Sequence, residues 1–455
     1  MKAGMPNAPQ FEEAKRIAAT LRERGYEACL AGGCVRDLLL GREPADYDVA
    51  TSATPDVVLG MFERTFAVGA HFGVVLVAPR DGNERFVTEV ATFRSDAAYS
   101  DGRHPDAVRY TSRAEEDVLR RDFTINGLLL DPLREIADPR SAVIDHVGGL
   151  ADLDAGMVRA IGRPELRFEE DRLRMLRAVR FAARFSFKLE PATLAAVRAL
   201  AARIHAVSRE RIRDELTKML TEGRARRAFE LLDSTGLLAQ VLPEIERMKG
   251  VEQPPQFHPE GDVCTHTLMV LDRLEAGCST TLAWGALLHD VGKPATFRRA
   301  PDRIRFDGHV EVGMAVAAEI CRRMRFSNDE TRQIIALIEH HMRFADAPRM
   351  KSSTLKRFFR LPGFEEHLAL HRMDCMAAHR HLENYEYVRE RWQATPEEDV
   401  RPARLITGRE LIAAGYEPGA QFREMLQAVE DAQLEGAITT REAALELVGK
   451  RFPRS

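Results

Sequence analysis

An α+β fold is expected, with a compact α/β head preceding an all-helical remainder, and three observations predict it. Short apolar strand patterns alternate with helical ones between Cys29 and Arg94. Beyond about Gly162 the strand patterns vanish, and helical periodicity runs to the C-terminus with breaks at Pro191, Gly223, Gly236 and Gln253-Pro254-Pro255. At 455 residues the chain exceeds what one core holds, so about two to four domains are expected.

Taken in order, Phe11 to Arg24 has the pattern of an amphipathic helix stopped by Gly25, and Cys29-Leu30-Ala31 reads as a short buried strand. Val35 to Leu40 forms a helix closed by Gly41, Asp46-Tyr47-Asp48 lies on a strand, and Thr54-Pro55 opens another helix. Val74 to Val77 and Phe86 to Phe93 flank Asp81-Gly82-Asn83, a hairpin pattern. Ser95 to Thr111 is polar and contains Ser100-Asp101-Gly102, so a mobile loop is expected there. Glu169 to Arg180 carries one helical pattern, and Ala394 to Pro402 sets off a final helical tail.

Apolar residues make up 45% of the chain and charged residues 30%, the balance of an ordinary globular protein rather than a disordered or fibrous one. No apolar run reaches membrane-spanning length and the first residues lack the apolar stretch of a secretion signal, so neither a membrane partner nor export is expected. The cysteines at 29, 34, 264, 278, 321 and 375 form no CxxC pair, which points to the reducing cytoplasm rather than a disulfide framework or zinc ribbon. Net charge is −4, yet residues 159–230 carry 18 Lys and Arg against 10 Asp and Glu, a local +8 set against −12 elsewhere. Such asymmetry favours a segment that faces nucleic acid; solvated arginine-rich helices are the alternative.

The densest chemistry lies in Leu30-Ala31-Gly32-Gly33-Cys34-Val35-Arg36-Asp37 and, within twenty residues, Asp46-Tyr47-Asp48. Glycines let a backbone approach phosphate oxygens closely. The helix start that follows turns N–H groups toward an anion, and Arg36 adds a fork-shaped charge. Alternation on a strand would project Asp46 and Asp48 together while Tyr47 points away. Two adjacent carboxylates repel unless a cation sits between them, and hard oxygens hold Mg²⁺ alongside substrate phosphates. A triphosphate handled beside divalent metal is nucleotidyl or phosphoryl transfer chemistry. A tight turn followed by a solvated acidic turn is the bland alternative.

Three further constellations follow. Arg120-Arg121-Asp122-Phe123-Thr124-Ile125-Asn126 reads either as a helix N-terminus with solvated charges or as a second triphosphate or ribose contact. On one helix, Asp171, Arg174, Arg177 and Arg180 would form a winding stripe, either a salt-bridge ladder or a reader of bases. Cytosine and adenine each offer an amino donor beside a ring-nitrogen acceptor; an Asp acceptor beside an Arg donor complements that edge and mismatches guanine and uracil. Finally, His266, His289-Asp290, His309, His340-His341 and Asp374 sit on successive predicted helices that could converge on metal. That set suggests a metal phosphohydrolase site with one or two ions, or a fold relic that keeps the residues without the activity.

Together these residues resemble the class II tRNA nucleotidyltransferases, the family containing bacterial CCA-adding enzymes and poly(A) polymerases. The glycine turn with Asp46-Tyr47-Asp48 is similar to the family's first motif and Arg120 to Asn126 to its second. Asp145 to Leu153, with Gly149 and Asp152, resembles the hinge motif, Glu170-Asp171-x-x-Arg174 the nucleotide-selecting motif, and Glu210-Arg211-Ile212-Arg213-x-Glu215-Leu216 the neck helix. Gly415-Tyr416-Glu417-Pro418-Gly419 and Ala432-Gln433-Leu434-Glu435-Gly436 are similar to tails of members that carry an HD domain. Gly127 departs from the pattern, where the family more often has alanine.

The resemblance implies a polymerase-β-like nucleotidyltransferase head at residues 1–158, an all-α neck that selects nucleotides and binds RNA at 159–250, an HD domain at 251–395 and a helical tail at 396–455. It implies Asp46 and Asp48 as Mg²⁺ ligands with Glu89 as a third carboxylate, and Gly32, Gly33 and Arg36 as triphosphate contacts. It further implies Arg121 at the nucleotide, Asp171 and Arg174 as the base template, and Arg177 and Arg180 as further contacts. His266, His289, Asp290, His309, His340, His341 and Asp374 would hold a divalent transition metal at the HD site. The implied reaction is attack of a tRNA 3′-hydroxyl on the α-phosphate of CTP or ATP. Poly(A) polymerases and enzymes restricted to CC or A addition use the same residues. A rival of another class makes the HD region a phosphohydrolase and the head a nucleotide-binding module. The oligomeric state stays open.

Overall fold

A computed structural model describes residues 9–67, 73–79, 87–96, 108–134, 138–256 and 258–454. The expected turn at Asp81-Gly82-Asn83, Phe86, and residues 97–107 of the expected loop lie outside the described residues. The chain divides into two compact units, Met1–Pro243 and Glu244–Ser455. The fold class is α+β.

The first unit opens with α1 (Pro9–Glu23), whose buried Phe11, Ala14, Ile17, Ala18 and Leu21 recur at helical spacing and form the face packed on the sheet. Next come β1 (Ala28–Ala31), α2 (Gly33–Leu39), β2 (Val49–Thr51), α3 (Pro55–Met61), β3 (Thr65–Phe66), β4 (Val74–Val77) and β5 (Thr88–Thr92). Then follow β6 (Arg94–Asp96), β7 (Val108–Tyr110), α4 (Ala114–Leu119), β8 (Leu128–Leu130), β9 (Val143–Asp145), α5 (Gly149–Asp154) and β10 (Met157–Val158). Seven of these strands form one sheet in the order β3-β4-β5-β2-β1-β8-β9, in which β2 and β5 run parallel and the other neighbours antiparallel. β1 sits inside the sheet with all four residues buried, which explains its lack of polar side chains.

Helices dominate from α6 (Pro164–Glu170) through α7 (Leu173–Arg184), then β11 (Lys188–Leu189), α8 (Pro191–Leu200), α9 (Arg209–Thr221) and α10 (Ala225–Ser234). α7 buries Leu173, Met175, Leu176, Ala178, Val179 and Ala182 against its neighbours, with contacts to α9 and α10.

Four expectations need correction. The Asp46-Tyr47-Asp48 segment is extended but precedes β2, although the Asp48 carbonyl already accepts from Ala31 N–H at 3.1 Å. The ends of the expected loop are strands, with Ser95 paired to Arg109. Strands persist beyond Gly162, since β11 pairs with β10 and Arg298–Arg299 pairs with Ile304–Arg305. The helix expected from Glu169 to Arg180 breaks at Asp171, which is extended at φ −142°, ψ 106° and turns its carboxylate onto the Leu173 N–H.

In the second unit, helices Val263–Leu271, Thr280–Leu288, His309–Arg323, Asn328–His340 and Phe364–Ala377 enclose Trp284, Leu287, Ile334, Leu337 and Ile338. Phe344, Phe358 and Phe364 centre a second cluster, and Leu411, Met425, Val429, Ala444 and Val448 a third, built from Gly408–Ala413, Gln421–Leu434 and Arg441–Arg451. Among the described residues no helix is long and apolar enough to cross a membrane.

Candidate functional site

Gly32 turns the chain from β1 into α2. Its φ of +76° suits glycine, and a Cβ there would lie 2.8 Å from Arg121 Nη1, so conformation and space both demand the absence of a side chain. The Arg121 guanidinium therefore lies directly over the turn and donates to the Asn126 carbonyl at 3.4 Å.

Tyr47 is buried with its ring edge-to-face against Phe11 at 5.6 Å, which turns Asp46 and Asp48 to the other side of the extended segment. The parallel register that sets Val49 opposite Val90 brings Glu89 level with Asp48, while the two valines point into the core. Burial, and then the charges of Glu89 and Asp46, push the Asp48 carboxyl up to about 7. Glu89 is raised as well, by desolvation of its carboxyl and by the charge of Asp46, although the residue as a whole is exposed. Together with Asp46 these two carboxylates form a hard-oxygen donor set whose mutual repulsion a divalent cation would relieve.

Beside them opens a cleft of about 540 Å³ lined by seven arginines and four aspartates, Asp46 and Asp48 among them. Each arginine already has a protein partner. Arg36 is buried, bonded to Asp37 and Asn126, and lies over the rings of Phe181 and Phe185 at 5.1 and 4.6 Å. Arg120 and Arg121 share Asp117, Arg174 meets Glu170 at 2.7 Å, and Arg177 meets Asp122 at 2.7 Å. Arg180 meets Glu215 at 2.7 Å, and Arg184 reaches Asp37 and Glu222, each at 3.5 Å. Burial opposes the charge of Asp122, but Arg177 and the Asn126 amide win and hold it down at about 2. The positive wall is thus fixed in place by an ionised network before any polyanion arrives.

Asp171 and Arg174 both line this cleft. Asp171 accepts a fork of bonds from Arg211 at 3.3 and 2.7 Å, and Arg174 donates to the Arg120 carbonyl at 3.1 Å. Arg120 and Arg121 follow the C-terminus of α4, not a helix N-terminus, where cations complement the helix end. The structure brings every expected head residue to the cleft or to the carboxylate group beside it. Sequence reasoning missed the partners: Asp117, Glu215, Glu222 and the Arg211–Asp171 fork. For Asp117 the usable sign was its i,i+3 and i,i+4 spacing to Arg120 and Arg121.

In the second unit, His266, His289 and Asp374 form one group of candidate metal donors, and Asp290, His309 and His341 another; within each, the donor atoms lie within 4.8 Å of one another. His266 Nε2 is 3.0 Å from Asp374 Oδ1 and 3.3 Å from His289 Nε2. Asp290 belongs between the groups, with Oδ2 3.3 Å from His289 Nε2 and Oδ1 3.9 Å from His341 Nε2. The Nδ1 atoms face outward, toward Glu260 for His266, and toward the carbonyls of Ala286, Phe306 and Ile338 for His289, His309 and His341. Outward Nδ1–H donation leaves each Nε2 lone pair for an ion, and His309 Nε2 is a buried atom without a hydrogen-bond partner. These residues fit divalent metal.

Burial opposes protonation of His266, yet bonds to Asp374 and Glu260 raise its pKa to about 9, so an ion bound at its Nε2 would displace a proton there; burial takes His341 down to about 4. Burial also opposes the charge on Asp290, but Lys293, at 2.7 Å, and His289 hold it well below the usual range. A Cβ on Gly292 would collide with the His309 carbonyl oxygen and the Gly313 nitrogen, so the turn after His289-Asp290 packs directly on the helix that starts at His309. His340 is not brought to either group; its ring lies 5.9 Å from that of His367. Glu260 and His258 were not anticipated, because they lie in an irregular segment without periodicity.

Residues 28–159 match the family described as the Poly A polymerase head domain, 186–249 that described as the probable RNA and SrmB-binding site of polymerase A, and 263–390 the HD domain. A CCA-adding enzyme of Bacillus pumilus is 39% identical over 282 residues, 62% of this chain and 64% of its own length. That of Lactobacillus gasseri is 42% identical over 268 residues, 58% of this chain and 65% of its own. The chain thus spans just under two thirds of the length of these curated relatives. The solved Bacillus stearothermophilus CCA-adding enzyme in complex with CTP is similar across 98% of both chains, with a TM-score of 0.72 and 27% identity. A Thermotoga maritima CCA-adding enzyme complexed with tRNA shares the fold at TM-score 0.57 and 17% identity, over 98% of this chain and 96% of that one.

Proposed function

We propose that this chain, which belongs to the class II tRNA nucleotidyltransferase and poly(A) polymerase family, adds C, C and A to the 3′ end of tRNA from CTP and ATP, releasing pyrophosphate. The observation that carries this reading is the single cleft that joins the Asp46 and Asp48 carboxylates, the arginine wall and the Asp171-Arg174 pair. On this reading residues 1–158 are the catalytic head, 159–250 the selecting neck, 251–395 the HD domain and 396–455 the tail.

Asp46, Asp48 and Glu89 would hold Mg²⁺, which when bound supplies charge neutralisation to the triphosphate and acidifies the attacking hydroxyl. Arg121 and the glycine turn receive the triphosphate, with Arg36 below adding charge from a buried position. Asp171, oriented by Arg211, accepts from the amino group of cytosine or adenine while Arg174 donates to the ring nitrogen. Guanine and uracil would leave both groups mismatched, which is where selectivity arises. The basic neck holds acceptor-stem phosphates, and the substrate sets the location, the cytoplasm.

Incubating the protein with tRNA transcripts ending at the discriminator, at C and at CC tests the proposal. Completion of CCA on all three is expected; adenosine added to any RNA without cytidine would instead identify a poly(A) polymerase, and single-step products a CC- or A-adding enzyme.

The histidine cluster supports a second reading at its own site: metal-dependent phosphoester hydrolysis. Six inward donors suited to a divalent transition metal favour it. Loss of phosphatase activity on chelation, restored by Mn²⁺, Co²⁺ or Ni²⁺, is the expected result.

A further inference from the structure

Asp117 is 2% exposed, does not line the cleft, and carries an unusual number of donors for one carboxylate. Its Oδ1 accepts from Arg120 at 2.9 Å and from the Arg94 backbone N–H at 3.3 Å; its Oδ2 accepts from Arg121 Nη2 at 3.0 Å and Nε at 3.3 Å. Burial opposes its charge, but the attraction of Arg121 and Arg120 outweighs it and lowers the pKa below the usual range. Each donor leads somewhere different. Arg121 lies over the Gly32 turn, the Arg120 carbonyl accepts from Arg174 of the selecting pair, and Arg94 begins β6.

We propose that Asp117 is a positioning residue for nucleotide binding, which sets the Arg121 fork over the glycine turn and the Arg120 backbone against Arg174 as one unit. The alternative is a helix-end salt bridge that only stabilises the fold. The two differ in what the side chain controls. A guanidinium has many rotamers, and an exposed pair would leave it free; a buried carboxylate that takes both Nε and Nη2 of Arg121 leaves only Nη1 facing Gly32 and Asn126. The fixed fork spares the bound nucleotide the ordering cost. This inference rests on the nucleotidyltransferase reading above.

The test uses the full chain with tRNA ending in CC or at the discriminator. Kinetic constants for ATP and CTP, and CTP affinity by calorimetry, are measured for the wild type, Asp117→Asn, Asp117→Glu, Arg121→Ala and the Asp117→Asn/Arg121→Ala pair. Wild-type extension and CTP binding establish the underlying reading; their absence refutes that reading rather than this one. Asp117→Asn keeps the shape but loses the charge, so nucleotide KM and Kd should rise roughly tenfold with kcat changed less. Asp117→Glu should recover part of the loss. In the Arg121→Ala background the second change should add little, because the route through Arg121 is already gone. An unchanged KM in Asp117→Asn, or an equal loss in both backgrounds, would overturn the proposal. If Asp117→Asn does not fold, as judged by thermal unfolding, Asp117→Glu is compared in the wild-type and Arg121→Ala backgrounds, and an equal change of KM in both refutes the proposal.

Discussion

The head cleft and the histidine cluster are both proposed to hold divalent cations, and their candidate donors are arranged in opposite styles. The head presents oxygen donors at an open wall: Asp46 and Glu89 are exposed, Asp48 half-buried, and arginines fill the other side. The cluster presents mostly nitrogen donors inside the fold, with His266, His289 and His341 at 0%, 1% and 4% exposure. An open oxygen site can share its ion with substrate phosphates, whereas a closed imidazole site suits a resident metal. Donor chemistry and burial together would separate an ion that arrives with the substrate from one that stays.

The largest expected effect separates the two sites directly. Asp48→Ala should cut tRNA extension by roughly 10³-fold or more while leaving the metal content of the cluster, read by elemental analysis, unchanged. A parallel loss of cluster metal would mean that the sites are not independent. In the converse experiment, Asp290→Ala should strip the cluster of metal and leave Lys293 buried without its carboxylate. The second unit should lose about 3–5 kcal/mol in denaturant unfolding, with tRNA extension retained at moderate temperature.

Selectivity sets the two sites apart next, because on the proposed reading only the cleft between the carboxylates and the neck arginines meets a base. Asp171→Ala should reduce discrimination against UTP and GTP by roughly tenfold or more, and unaltered selectivity would refute the template role. The smallest effect is on pH-dependent stability. The Asp48 pKa is raised on folding to about 7, so its contribution is fully present below its ordinary value of 3.8 and is lost as pH rises through 7. In EDTA, Asp48→Asn should therefore gain melting temperature over the wild type by a few degrees between pH 5 and 8. Added Mg²⁺ should erase the gap above pH 7.

The same contrast governs what could be read in advance. The head's reactive residues cluster within short stretches, and local spacing alone puts Asp46 and Asp48 on one side of an extended segment around a buried Tyr47. What lay hidden there was long-range pairing, such as Arg211 with Asp171 or Glu215 with Arg180, because periodicity reveals which face a helix buries but not its register against another. The break at Asp171 was hidden too. Its side chain competes for a backbone N–H, a local choice that leaves the surrounding apolar spacing intact. In the cluster, neighbouring His340 and His341 look equivalent in sequence. The helix ends at His340, and only the next residue turns its ring inward.

The packing of Gly292 on the first turn of the helix that begins at His309 has a consequence for reading other chains of this kind. The second candidate metal position, formed by Asp290, His309 and His341, depends on a contact made by hydrogen rather than carbon. A relative could retain all six donor residues and still hold a single ion, if one methyl group at this turn pushed His309 out of range. A tally of ligands would then overstate its nuclearity, and the residue that decides between one ion and two would be one that binds neither.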